Sequence, residues 1–257
     1  MPDRVPAALE SLLDVADAAA VTAVLDDPLA RSLLVSDTDL PSVPHEADGP
    51  PVTVVLTGGA GQVAGPAAYC TRAGLALSAL VVTLRDPGDL AGNARRVVAA
   101  VDAARAEGAL ADDATVQVVL PAEDPTYAWL AAADEVAGAE LGLRLAAGGA
   151  DRPPVAPATL AAWIDAALDR ETPFAVAAAG TAYGDSGPGV LGLLRATLAA
   201  FDGATPGEVT ELLGGPAPAG LDLDELVRAR RWCTSVESTA PGRVREDLRG
   251  LGLLDGS

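Results

Sequence analysis

Six short runs rich in Val, Leu and Thr recur along the chain, each followed by a longer Ala-rich stretch. This alternation restricts the fold more than any other feature of the sequence. Strands are expected at 52–57 (VTVVLT), 78–85 (SALVVTLR), 115–120 (TVQVVL), 141–146 (LGLRLA), 173–179 (PFAVAAA) and 232–238 (WCTSVES). Helices are expected near 62–74, 89–107, 126–138, 157–170, 188–201 and 221–231, with a short one at 206–213. Asp89 and Pro157 suit helix starts and Gly108 a helix stop. Strands that alternate with helices build a parallel sheet. That sheet is either open and doubly wound, or closed into a barrel with one or two weak strands beyond these six.

The two faces of each strand separate these architectures. Val52, Val54 and Leu56 oppose Thr53, Val55 and Thr57, while Leu80, Val82 and Leu84 oppose Val81, Thr83 and Arg85. Likewise Val116, Val118 and Leu120 oppose Gln117 and Val119, and Leu141, Leu143 and Leu145 oppose Gly142, Arg144 and Ala146. In the last run Trp232, Thr234 and Val236 oppose Cys233, Ser235 and Glu237. A doubly wound sheet is covered by helices on both faces and is apolar on both. A barrel needs one face for its helical shell and admits polar groups near the mouth on the other. The expected fold class is therefore an α/β chain forming a (β/α) barrel, TIM-like, with irregular or incomplete closure left open. Residues 1–257 read as one domain: an N-terminal helical segment (1–35) that would close the barrel's bottom, a Pro-rich loop (36–51) and the alternating body (52–257). Within the first segment, 7–35 reads as one or two amphipathic helices divided at Pro28.

Charge and residue usage exclude several functions. A formal charge of −19 disfavours nucleic acid and anionic membrane surfaces as partners. No apolar run reaches the roughly 20 residues of a membrane span. The N-terminus carries acids where a signal peptide is basic, so the expected location is cytoplasmic. All 17 basic residues are Arg, which removes a Schiff-base lysine and the Tyr-x-x-x-Lys pair of short-chain dehydrogenases. The one histidine, His45, lies in PSVPHEADGPP and reads as a loop residue, so no metal site is expected. Cys70 and Cys233, in no metal-like spacing, read as reduced and buried.

In a barrel, chemistry belongs to the rim at the strand C-termini. Residues there are Thr57, Thr83, Asp86, Glu123, Asp124, Tyr183, Asp185 and Glu237, with Arg85 and Arg144 on inner faces. Two inward guanidiniums suit a carboxylate or phosphate held bidentately. They equally suit pairing with Asp86, Glu123 or Glu237 inside the barrel. These three acids are the candidate catalytic groups. Arg144, Arg85, Thr57, Gly58, Gly59, Gly148, Gly149 and Tyr183 are the candidate ligand contacts. The glycine turns either present N–H groups to an anion or simply permit tight turns.

The turn TGGAG after strand 52–57, RLAAGG (144–149), FAVAAAGTAYGDSGPGVLGLL (174–194) and WCTSVESTAPGRVREDLRGLGLL (232–254) together resemble a family of uncharacterised barrel-like proteins of high-GC bacteria. That family's pattern has lysines where this chain has Arg144 and Ala175, and paired histidines near Tyr183. Its His-Gly-Phe-Leu-Asn element corresponds to GPGVLG here. The resemblance implies a barrel and a divergent member stripped of the family's polar set. Three functions stay open. The first is a non-catalytic relative that binds a small anionic metabolite. The second is a lyase or isomerase with an Arg85/Arg144 clamp and a strand-end carboxylate as base. The third is an NAD(P)-dependent oxidoreductase built on the turn Gly59-x-Gly61, with Asp86 as the ribose-binding acid. No cofactor is required by the sequence, and a homo-oligomer is compatible with it.

Overall fold

The structure is a computed structural model that describes residues 5–16, 27–45, 49–148, 153–177, 189–215 and 221–254. Eight parallel strands close into a barrel in sequence order. They are β1 (Leu13–Val15), β2 (Ala30–Ser36), β3 (Val52–Leu56), β4 (Leu77–Thr83), β5 (Thr115–Val119), β6 (Gly142–Ala146), β7 (Phe174–Ala177) and β8 (Cys233–Ser238). Closure is made by β1 against β8, with Leu13, Asp14 and Val15 opposite Val236, Glu237 and Ser238.

The helices among the described residues are α1 (Ala64–Ala73), α2 (Leu90–Ala106), α3 (Tyr127–Gly138), α4 (Pro157–Leu168), α5 (Val190–Phe201), α6 (Pro206–Gly214), α7 (Leu223–Leu226) and α8 (Pro241–Gly250). Their starts follow local chemistry. Asp89 caps α2 through the N–H of Gly92, Thr126 caps α3 through that of Trp129, and Thr205 with Glu208 forms a capping box on α6. The outward strand residues Val52, Val54, Leu80, Val82, Val118, Leu143 and Val236 are at most 1% exposed and pack under this shell. With only 3% aromatic residues, the shell relies on a few large rings. Trp129 and Trp163 stack at 6.5 Å, tying α3 to α4. Their indole N–H groups donate to the carbonyls of Pro121 and Glu123, which fixes the loop after β5.

The barrel class matches the sequence reading; the N-terminal segment differs in detail. Ala7–Ser11 is a turn, and 13–15 and 30–36 are β1 and β2 rather than helix, while 17–26 lies outside the described residues. Here pairing overrides local propensity. In ARSLLVS, Leu33 and Val35 are buried, and Ser32 turns inward to meet Asp14 and Thr53. These are the two weak strands that complete the count of eight. The bottom of β1 is held by Arg230, whose Nη2 donates to the carbonyls of Glu10 and Ser11.

Candidate functional site

The inner wall of the barrel is built in two layers of opposite character. The deeper layer consists of Asp14, Ser32, Thr53, Ala79, Gln117, Arg144, Ala175 and Ser235, none more than 3% exposed. Six of these eight are polar, and they form one network around Asp14. Ser32 Oγ donates to Asp14 Oδ1 and Ser235 Oγ to Oδ2, both at 2.7 Å. Because the Ser32 proton is committed to Asp14, Thr53 Oγ1 donates to Ser32 Oγ at 2.7 Å. Arg144 Nη1 donates to Asp14 Oδ2 at 3.2 Å and to Gln117 Oε1 at 3.0 Å, and Nη2 to Glu237 Oε2 at 2.8 Å.

Burial alone would make Arg144 easier to deprotonate. The charges of Asp14 and Glu237, with their hydrogen bonds, outweigh it and hold the guanidinium above its ordinary range. Arg31 Nη1 lies 3.6 Å from Asp14 Oδ1. Arg144 is in direct contact with Asp14, and Arg31 and the half-buried Arg230 also lie within that carboxylate's field.

Two residues further along each strand, on the same inner face, the wall changes. Ala16, Leu34, Val55, Val81, Val119, Ala146 and Ala177 are apolar, and only Glu237 is charged. Val81, Val119 and Ala146 form an apolar cluster of their own, with Val55 packed against it. Ala16, Leu34, Val55, Ala177 and Glu237 are half-buried, as expected for a layer that faces the open mouth. The inner polar residues therefore lie mainly below the mouth rather than at it. The sequence pattern located them on the correct face but not at the correct depth.

The rim residues divide into three groups. Glu237 reaches the interior and is engaged by Arg144, with 18% of its side chain exposed. Glu123 and Asp86 are exposed and distant from that network. Glu123 serves the fold through its carbonyl, and Asp86 accepts from the Gly88 N–H and sits 3.7 Å from Arg96. Asp124 accepts from Thr159 on α4. On the opposite arc, Arg85, Thr57, Gly58 and Gly59 come together. The Arg85 stem passes 3.4 Å from where a Cβ on Gly59 would stand, and Gly59 has φ 78° and ψ −159°, a region essentially reserved for glycine. The Thr57 N–H donates to Asp37 Oδ1 at 3.1 Å. Gly148 is half-buried at the end of β6; Gly149, Tyr183 and Asp185 lie outside the described residues.

Arg85 and Arg144 do not form one clamp. Arg144 is buried on the floor and its Nη1 and Nη2 are held by protein acceptors, whereas Arg85 is exposed at the rim. The acids nearest Arg85 in sequence, Asp86 and Asp89, pair with Arg96 at 3.7 Å instead. Asn93 on α2, 8% exposed, fixes the loop that carries Arg85. With its amide oxygen turned toward the loop, it accepts from the backbone N–H groups of Arg85 and Asp86 at 2.8 and 2.7 Å. Asn93, Asp14 and Ser32 are positioning residues that sequence reasoning missed. Ser32, Leu34 and Ser36 do alternate with Leu33 and Val35 as in a strand, but the leucines of the same stretch also fit a helix.

Among the described residues no group of three or more His, Cys, Asp or Glu side chains is arranged to hold a metal ion. No helix among them is long and apolar enough to cross a membrane. His45 is an exposed loop residue whose Nε2 lies 3.3 Å from Tyr69 Oη. Both thiols are buried, and desolvation pushes Cys70 up to about 11 and Cys233 to about 12. They are too weakly acidic for nucleophilic use. In comparisons with known protein families and with curated proteins, nothing matches the chain.

Proposed function

We propose that this chain is a non-catalytic relative of a barrel enzyme family that binds a small anionic metabolite at the C-terminal mouth. Arg85 and the turn Gly58–Gly59 receive the anion. The observation that carries this reading is the seating of the Arg85 stem against Gly59, which places an exposed guanidinium beside a strand-to-helix turn. The non-catalytic reading is supported by the acids among the described residues. Glu123 and Asp86 are exposed, and Glu237 is paired with Arg144.

A thermal-shift screen against inorganic phosphate, sugar phosphates, small carboxylic acids and NAD(P) tests it. At least one anion is expected to stabilise the protein, with the shift lost in Arg85→Ala. No response to any anion, or a response unchanged in Arg85→Ala, overturns the reading.

A second reading, a lyase or isomerase with Glu237 as base, is favoured by one observation: Glu237 is the only charged group of the upper layer and is partly exposed. Exchange of solvent deuterium into a bound carboxylic acid, lost in Glu237→Gln, would establish it. The nicotinamide reading has less support. The strands close through β1 and β8 and leave no crevice at a reversal of strand order, and Asp86 folds back on Gly88.

A further inference from the structure

We infer that the bottom of the barrel holds a second binding site, for a small zwitterion that carries a carboxylate and an ammonium group. It lies at the opposite end of the strands from the anion site proposed at Arg85 and does not depend on it. A cavity of about 360 Å³ opens there, walled by the N-terminal ends of β2, β5, β6 and β8 and by the end of α2. That size falls within the range of small-molecule sites, about 300–1,000 Å³. Chemistry in such barrels belongs to the other end, so the role assigned here is binding alone.

The inner part of the wall is rich in donors. Arg31 has 20% of its side chain exposed, and its one carboxylate partner among the described residues is Asp14, at 3.6 Å. Arg105 Nη2 donates to the carbonyl of Ala114 at a long 3.4 Å. Among the described residues five buried side-chain nitrogens lack a hydrogen-bond partner. Three of them, Arg31 Nη1, Arg105 Nε and Gln117 Nε2, belong to residues of this one cavity. Two guanidiniums and an amide short of acceptors suit a carboxylate.

A simple anion does not suit the rest of the wall. Asp112, Asp113 and Glu140 line the same cavity, all three exposed, and among the described residues none is in ion-pair contact with Arg31 or Arg105. A lone anion is repelled by these acids and a lone cation by the guanidiniums. One molecule bearing both signs meets both sets of charges. Exposure sets its direction: the carboxylate points inward to Arg31 and Arg105, and the ammonium outward to the acids.

The test is calorimetric titration of the intact protein with glycine, γ-aminobutyrate and ε-aminohexanoate. Carboxylates and alkylammonium ions of matched length serve as single-charge controls. At least one amino carboxylate is expected to bind about tenfold or more tightly than either of its controls, the scale of one charged hydrogen bond. Arg31→Gln should remove that binding. Because Arg31 also faces buried Asp14, the exposed pair Asp113→Asn, Glu140→Gln supplies an independent arm. It should bring the amino carboxylate down to the level of the plain carboxylate, while Arg85→Ala leaves the binding unchanged.

A plain carboxylate that binds as well as its amino counterpart overturns the inference, as does binding unchanged in the Asp113→Asn, Glu140→Gln protein. Loss of binding in Arg85→Ala overturns it too, because the ligand then sits at the mouth. Binding of no amino carboxylate removes this site and leaves the anion site at Arg85 standing.

Discussion

Replacing Arg144 by Met tests whether the buried network is held by charge balance. Asp14 is fully buried and is left facing two hydroxyls, the looser Arg31 contact at 3.6 Å and the more distant field of Arg230. Removing one partner of a buried pair costs about 3–5 kcal/mol, because the other charge stays buried and uncompensated. The Glu237 half of the arrangement has 18% of its side chain exposed and reaches water more easily, so most of the loss comes from Asp14. For a chain of this size such a loss lowers Tm by on the order of 10 °C.

Urea denaturation at pH 7, extrapolated to water, measures the effect. The double variant Asp14→Asn, Arg144→Met removes the stranded charge and keeps a hydrogen-bonding side chain for both serines. It should therefore recover roughly half of the loss, a coupling on the scale seen for contacting residues. An Arg144→Met protein within about 1 kcal/mol of the parent would refute the charge-balance argument. A double variant less stable than Arg144→Met would refute it as well.

Gly59→Ala is expected to cost about 1–3 kcal/mol, since alanine must adopt a backbone conformation essentially confined to glycine; equal denaturation midpoints would show that the turn relaxes freely. Trp163→Ala should cost about 3–5 kcal/mol in the same assay, because it empties one side of the α3–α4 contact and frees the loop after β5. Both cysteines should stay unreactive toward a thiol reagent at pH 8 and react fully in guanidinium; prompt labelling of the native protein would contradict their burial. Their folded pKa values, about 11 and about 12, lie above the ordinary 9.0, so between pH 9 and those values the thiols stay protonated when folded but ionise when unfolded. The cysteines' contribution to stability should therefore be level below pH 9 and fall as the pH rises from 9 through about 12. A variant with both cysteines replaced by Ala should show a shallower fall.

The strands in the body of the chain were legible because the two faces differ in most of them. Val52, Val54 and Leu56 cannot share an environment with Thr53, and only a barrel keeps such faces apart in all strands. β1 and β2 were not legible. Three residues, LDV, contain no period, and the run around Ser32 and Ser36 lies within a stretch whose leucines also fit a helix. The interior pairing of Arg144 was among the alternatives, with Glu237 a named partner. Asp14 escaped notice because a lone acid in an apparently amphipathic helix reads as solvent-facing. Depth within the barrel was also hidden. Period-2 alternation assigns a face, but height depends on the stagger between strands, which is a property of the closed sheet and of no single segment.

The seam between β1 and β8 has a consequence for how the molecule is assembled. Its contacts join residues some 220 positions apart, as in the bond from Ser235 to Asp14, whereas each of the other strand pairs joins neighbours along the chain. A link of that separation carries the largest loop-closure entropy in the molecule and forms last. Any sheet that forms before β8 is made has two bare edges, and Asp14 then lacks its Ser235 donor. Until β8 emerges, the nascent protein is exposed to edge-to-edge association. In the finished protein the three-residue β1 is where amide exchange should begin.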